Sequence, residues 1–305
     1  MRVTLAIVGI LVGCAGAQAQ ITVPTLVHRS AATASETKSE ALLYITTADI
    51  IWIFSFPRTK FVASFSVYGA ENPCADEDHV FVPQYGPDDI VEYAHGGTEP
   101  IATLEDAGQD PFSCAVDPTS GTIAVTNYGN ATRPGNVALY IRAQNVPVIY
   151  SDPDIYYYWF CGYDDKGNLF VDGISHNGTA LFAELPAGGR TFTDITLSER
   201  IKDPGSVQWD GNYMTIADET AHSIDRLDFS GSTGTIVGTT RLSGWRSRRG
   251  EQSWIAGNTV VVPTDRYQLK HLGFWSYPLG GRFTKTLSRF PAIRGVTVSA
   301  APNDR

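Results

Sequence analysis

Apolar and polar residues alternate along this chain in short stretches, and each stretch ends at glycine, proline, asparagine or aspartate. A period of two over so few residues predicts half-buried β-strands, and the residues between them are those that turn a chain tightly. One unit shows the pattern clearly: SCAVD, TIAVTNY, NVALYIR and VPVIY follow one another between Ser113 and Tyr150, giving four strands and three turns. Elsewhere the third and fourth strands of a unit are joined by glycine-rich turns, AHGGTEP at 94–100, PAGGRTF at 186–192, SGSTG at 230–234 and PLGGRF at 278–283. Glycine suits tight hairpins because they need positive φ.

These units repeat. The phrases PCADEDHVFVPQYG from Pro73, PFSCAVDPTSGTIAVTNYG from Pro111, FCGYDDKGNLFVDG from Phe160, SVQWDGNYMTIAD from Ser206 and SWIAGNTVVVP from Ser253 share one strand-turn-strand form. Their anchoring position moves through Asp76, Asp117, Asp164, Asp210 and Ala256, at intervals of 41, 47, 46 and 46 residues. That is the period of a β-propeller blade. The first unit, ALLYITTADIIWIFSFP followed by FVASFSVYG, has only three strands, and the strand it lacks is found in IRGVTVSAAP from Ile293 to Pro302. The expected fold is therefore all-β: a six-bladed β-propeller over residues 41–302, of four-stranded antiparallel blades, whose C-terminal strand closes the first blade. Closure removes a sheet edge that would otherwise stay unpaired.

The 305 residues, with 29 glycines, 17 prolines and 43% hydrophobic content, fit a single domain of this kind. Residues 1–20 read as a targeting segment: Arg2, an apolar run too short for a permanent membrane span, then small residues. Two processing routes fit equally. Ala17-Gln18-Ala19 has the form of a signal-peptidase site, with cleavage after 19, and Leu11-Val12-Gly13-Cys14 has that of a lipobox, with cleavage before a lipidated Cys14. Either places the protein outside the cytoplasm, as a secreted or periplasmic monomer or one lipid-anchored in the cell envelope. Residues 21–40 read as a flexible linker and 303–305 as a tail. The net charge of −9 argues against nucleic acid as a partner, and membrane contact is expected only through the lipid anchor. The basic cluster Arg246, Arg248 and Arg249 reads as a solvated loop.

The repeated aspartates invite a reading as a ring of metal ligands, but each lies at the bend between first and second strands, where aspartate bonds its own backbone. No metal site is assigned to them. Cys74, Cys114 and Cys161 occupy nearly the same position in the innermost strands of three successive blades. Packed sheets stand up to roughly 10 Å apart, and a disulfide needs Cα atoms within about 7 Å. The expectation is therefore of three structural thiols packed as small hydrophobes, with a bridge disfavoured and at least one cysteine free.

The six histidines show no metal-binding spacing, and no nucleophile elbow or phosphate loop is present, so catalytic residues remain unassigned. The densest aromatic run, Tyr156, Tyr157, Tyr158 and Trp159 ahead of Phe160, is the candidate ligand-binding wall near the channel mouth, with interblade packing as the competing reading. Asn130 and Asn177 head glycosylation sequons.

The phrases from Pro111, Phe160 and Ser206 resemble NHL-repeat propellers, and the stretch 41–302 is similar to secreted or lipoprotein-type bacterial six-bladed propellers without an assigned function. Related six-bladed enzymes include calcium-dependent gluconolactonases and streptogramin lyases. The first blade here offers no glutamate like the lactonases' early metal ligand, and the lyases' paired histidines find no match. The expected function is thus a binding or interaction module for a protein or small ligand, with no cofactor. The alternative is a metal-dependent lactonase-type hydrolase or lyase holding calcium at the axial channel mouth.

Overall fold

The structure is a computed structural model that describes residues 39–106, 109–141, 144–246, 250–264 and 270–301. The leader with Cys14, almost all of the expected linker, Arg248, Arg249 and the tail lie outside the described residues.

The described residues form an all-β architecture without α-helices. The first sheet has the order β25-β1-β2-β3, combining β1 (Leu42–Thr47), β2 (Ile50–Ser55) and β3 (Phe61–Ser66) with β25 (Ile293–Ser299) from the other end of the chain. The second contains β4 (Cys74–Ala75), β5 (His79–Gln84), β6 (Asp89–Ala94) and β7 (Pro100–Glu105). The third contains β8 (Pro111–Val116), β9 (Ile123–Asn127), β10 (Asn136–Tyr140) and β11 (Val148–Tyr150). The fourth contains β12 (Tyr157–Tyr163), β13 (Leu169–Ile174), β14 (Ala180–Leu185) and β15 (Thr193–Asp194). All four are antiparallel, as the short connecting turns require.

The remaining strands differ from expectation, because two four-stranded rows join into one nine-stranded sheet. One row runs through β17 (Pro204–Trp209), β18 (Met214–Asp218), β19 (Ser223–Ser230) and β20 (Thr233–Ser243). The other runs through β21 (Trp254–Ala256), β22 (Thr259–Thr264), β23 (His271–Ser276) and β24 (Gly280–Ser288), while β16 (Thr196–Leu197) pairs with β20 from outside the rows. The join is made at the far end of the long β20, where Leu242 and Ser243 pair in parallel with Gly281 and Arg282. Gly280 makes the approach feasible: its φ is +68°, and a Cβ there would lie 2.3 Å from the Arg241 carbonyl oxygen.

Apolar side chains fill the gaps between neighbouring rows. In β1 every residue is buried, and the period of two divides them. Leu42 and Tyr44 pack with Val80, Val82 and Tyr93 of the second sheet. Leu43 and Ile45 pack with Val261, Leu272 and Phe274 of the last row, together with Val296 of β25. The last row therefore meets the first sheet, and the sheets arrange as in a β-propeller. β25 pairs with β1 from Leu42↔Ser299 to Thr47↔Ile293. Thr46 is fully buried at the irregularity in this register, where its hydroxyl accepts the Gly295 N–H at 3.1 Å and lies 2.8 Å from the Glu71 carbonyl oxygen. The distal end of β25 is held by Ser299, whose hydroxyl donates to the Asp76 carbonyl and lies 2.8 Å from His95 Nδ1.

The turn reading of the aspartates agrees with their geometry. Asp76 Oδ1 accepts the N–H groups of Asp78 and His79, Asp164 Oδ1 those of Lys166 and Asn168, and Asp210 Oδ1 those of Asn212 and Tyr213. Asp117 accepts the Thr119 N–H and the Ser120 hydroxyl.

The cysteine expectation needs correction. Cys74 and Cys114 form a disulfide between the second and third sheets with Cα atoms 5.4 Å apart, and Cys161 is the free, buried thiol. The reason is strand phase. Cys114 and Cys161 stand three residues before their aspartates, but Cys74 stands two before Asp76. One residue reverses the direction of a strand side chain, so Cys74 faces the third sheet. Cys114 faces back to the second, with its sulfur 3.6 Å from the Phe81 carbonyl oxygen, just as the Cys161 sulfur faces the Ala124 carbonyl oxygen at 3.8 Å.

Two stability measurements test this architecture. Deleting residues 292–305 removes the buried side chains of Ile293 and Val296, each worth about 1.5–3 kcal/mol, and bares the edge of β1. Thermal melting should fall by on the order of 10 °C, and an unchanged midpoint would contradict closure by β25. Replacing Cys74 and Cys114 by alanine opens a loop of sequence separation 40 and should cost about 4 kcal/mol of unfolding free energy in urea titrations. In a chain beginning after residue 20, non-reducing denaturation should expose one titratable thiol.

Candidate functional site

Antiparallel order gives the ring two faces. The innermost strands β4, β8, β12, β17, β21 and β25 begin at the upper face, where the turns between second and third strands also lie, and they end at the lower face among the turn aspartates.

The aromatic run enters β12 from the upper face and is divided by a bulge. Register with β13 shifts between Tyr158 and Cys161, and the Phe160 N–H freed from the ladder donates to Asp172 Oδ1 at 2.7 Å. The extra residue changes which way the following side chains point. Tyr158 and Cys161 pack against Ala124 and Val137 of the third sheet, while Trp159 and Phe160 pack against Val207 and Ile216 of the next row. Asp172 is wholly buried, and burial, reinforced by Asp203, pushes its carboxyl well above the usual carboxylate range.

The four proposed wall residues accordingly part company. Tyr158 is fully buried, and its hydroxyl accepts the Asp152 N–H at 2.5 Å; Trp159 is buried between sheets. Tyr156 and Tyr157 remain half-exposed on the upper face, with ring centroids 4.8 Å apart. Two residues missed from the sequence complete a shelf: His176 meets Tyr156 edge-on at 4.8 Å, and Tyr128 lies 5.1 Å from Tyr157. The Tyr156 hydroxyl donates to the Asn130 carbonyl oxygen, and Asn130 and Arg133 are both anchored on Asp110 Oδ2, at 3.1 and 3.2 Å. These bonds hold the Tyr156 ring in place while it stays partly exposed. Farther round the same face Tyr68 and Tyr85 are 68% and 57% exposed. A signal for the missed residues existed: Tyr85, Tyr128 and His176 all fall on turns between second and third strands, 9, 11 and 12 residues after their repeat aspartates.

The axis itself is packed at this face. Asn72 and Gln252 are buried there: Asn72 donates to the Phe112 carbonyl through both its backbone and its side chain, and its Oδ1 lies 3.2 Å from the Gln252 nitrogen. Gly250 lies so close that a Cβ would stand 3.0 Å from the Phe112 ring and 3.1 Å from Trp159. The shelf thus flanks a closed channel end. Arg246 is exposed on this connection, and its N–H donates to the Thr264 hydroxyl. Of the two sequons, Asn177 is exposed in the turn after β13, whereas the Asn130 side chain is engaged by Asp110 and Thr132.

Among the described residues, carboxylate oxygens of Asp152, Asp154 and Asp194 lie within 4.8 Å of one another. They sit at the periphery of the fourth sheet, away from the axis. The Asp194 carboxyl is raised by desolvation and by its two acidic neighbours.

No protein-family model matches the sequence, and no curated protein matches it. Solved structures share its fold. A chain of the nidogen/laminin complex superposes with a TM-score of 0.69 at 12% identity, covering 86% of this chain and 99% of that one. A protein of unknown function from Bacteroides caccae gives 0.64 at 14% identity, with 86% and 99% covered. A functionally unknown protein from Desulfotomaculum acetoxidans DSM 771 gives 0.57 at 13% identity, with 85% and 99% covered. At these identities the likeness establishes a propeller-like fold.

Glu71 lies beside the packed axis, with Arg294 Nε 3.8 Å from its Oε1. Burial outweighs the guanidinium and pushes its carboxyl up to about 7. An acid raised in the folded state binds more protons there than when unfolded, so its contribution to stability is present at low pH and lost as pH rises towards 7. Glu71→Gln removes that dependence. Thermal melts at about pH 5 and about pH 8 should show the parent losing stability relative to this variant as pH rises, and parallel profiles would refute the assignment.

Proposed function

We propose that this chain is an extracytoplasmic, six-bladed, NHL-like propeller that acts as a binding module, docking a partner protein or small ligand on its upper face. The observation that carries the reading is the shelf of Tyr128, Tyr156, Tyr157 and His176, with Tyr68 and Tyr85 exposed on the same face. Tyrosine combines a large apolar body with a polar tip at small entropic cost and is enriched among the residues that dominate interface energetics. The nidogen/laminin complex shows a protein of similar fold in a protein assembly, which supports the docking reading. The apolar leader supports export, through cleavage after residue 19 or lipidation of Cys14.

The test compares the exported protein with a Tyr156→Ser, Tyr157→Ser variant in affinity capture from envelope extract, followed by titration of the captured partner. Each substitution should weaken binding by about 2 kcal/mol if these rings are central, while the melting temperature stays close to the parent's. Equal capture by both proteins would refute the upper-face site. Bound calcium with chelator-sensitive lactone hydrolysis would replace the binding reading with the hydrolytic one. Mass analysis of the exported N-terminus distinguishes Gln20 from a lipidated Cys14.

A further inference from the structure

The lower end of the axis is built differently. Two chambers of about 410 and about 180 Å³ share Ala75, Val116 and Pro118 in their walls and so form one funnel. The outer chamber is rimmed by Asp76, Glu77, Asp78 and Asp117, and neither chamber has a lysine or arginine in its described lining. Two imidazoles flank the rim: His79 lies between Asp76 at 3.5 Å and Glu92 at 3.6 Å, and His95 is buried with Nδ1 2.8 Å from the Ser299 hydroxyl; Lys166 is exposed on the neighbouring turn.

The throat carries no ionisable carboxylate and has two half-buried indoles, Trp209 and Trp254, in its wall. Gly162 lets two inner strands approach closely beside the throat, since a Cβ there would lie 2.6 Å from the Val207 carbonyl oxygen. The Gln208 amide is already committed, donating to the Ile255 carbonyl and accepting the Ile255 N–H. Tyr163 borders the throat, but its ring packs between the third and fourth sheets with Leu139, Tyr150 and Leu185.

A negative rim above an apolar, tryptophan-walled throat is complementary to one kind of ligand. We propose that the funnel binds a small organic ammonium cation, its positive head against Trp209 and Trp254 and beneath the carboxylate rim. Indole faces attract such heads through their quadrupole, and the attraction strengthens where water is excluded. The throat accommodates a headgroup rather than a large ring system, since drug-sized ligands occupy roughly 300–1,000 Å³. This site is independent of the upper shelf.

Choline and its uncharged isostere 3,3-dimethylbutan-1-ol are the probes, titrated against the intact protein by tryptophan fluorescence and calorimetry. Choline should bind saturably and the neutral isostere at least about tenfold more weakly, since the cation–π and rim contributions both require the charge. Trp254→Leu should weaken choline binding about 3- to 30-fold. Should that variant fail to fold, Glu77→Gln with Asp78→Asn, on the solvated rim, should still weaken it about threefold or more at low salt. The Tyr156→Ser, Tyr157→Ser variant should bind choline like the parent. Equal affinity for the isostere, no saturable choline signal, or unchanged affinity in the rim variant would each overturn the proposal.

Discussion

The pairing of β25 with β1 is the constraint on which the rest of the molecule depends. It joins residues about 250 positions apart, as the Thr46 and Gly295 hydrogen bonds show, and it supplies the edge strand that the first sheet lacks. Without it Leu43 and Ile45 would lose Val296 as a neighbour, and both ends of the ring would present unpaired backbone. Such edges template association with other chains. The strands between are short and few, so their stability comes from neighbours on both faces rather than from their own ladders.

Closure also explains why the two ends of the axis differ. Innermost strands converge there, so any side chain at their upper ends must interlock with its counterparts. Asn72, Phe112, Trp159 and Gln252 do so, and backbone groups at that end are satisfied through Asn72. At the lower end the strands finish in turns whose aspartates are occupied with local N–H groups and diverge from the axis. The carboxylates therefore give a negative rim without meeting at one point. Polar satisfaction at one end and divergence at the other produce a closed face with aromatic rings and an open face with charge.

The bulge in β12 shows how a local irregularity sorts chemistry. A regular strand would send Tyr157 and Trp159 one way and Tyr158 and Phe160 the other. The inserted residue places Trp159 and Phe160 in the same interface, and the freed N–H is caught by a buried carboxyl. The price of that catch is a wholly buried Asp172, whose carboxyl desolvation raises well above the usual carboxylate range.

Much of this was legible in the chain. The repeat spacing, the turn aspartates and the displaced first-blade strand were read from periodicity and turn chemistry, because those are properties of neighbouring residues. The aromatic run was found as a candidate, but its division was not, since a bulge is chosen by how two sheets fit rather than by composition. Tyr128 and His176 reach the upper shelf, and Trp209 and Trp254 the lower funnel, from successive repeats, so each pair comes to one site only when neighbouring rows pack. The disulfide is hidden more thinly: the shift of Cys74 by one residue relative to its aspartate is visible in the sequence, but its meaning depends on how close neighbouring inner strands come near the axis. The sequence by itself determined which segments are strands and how often they recur. Only the tertiary structure decided which side chains face each other across the blades, because that depends on distances between residues that share no local pattern.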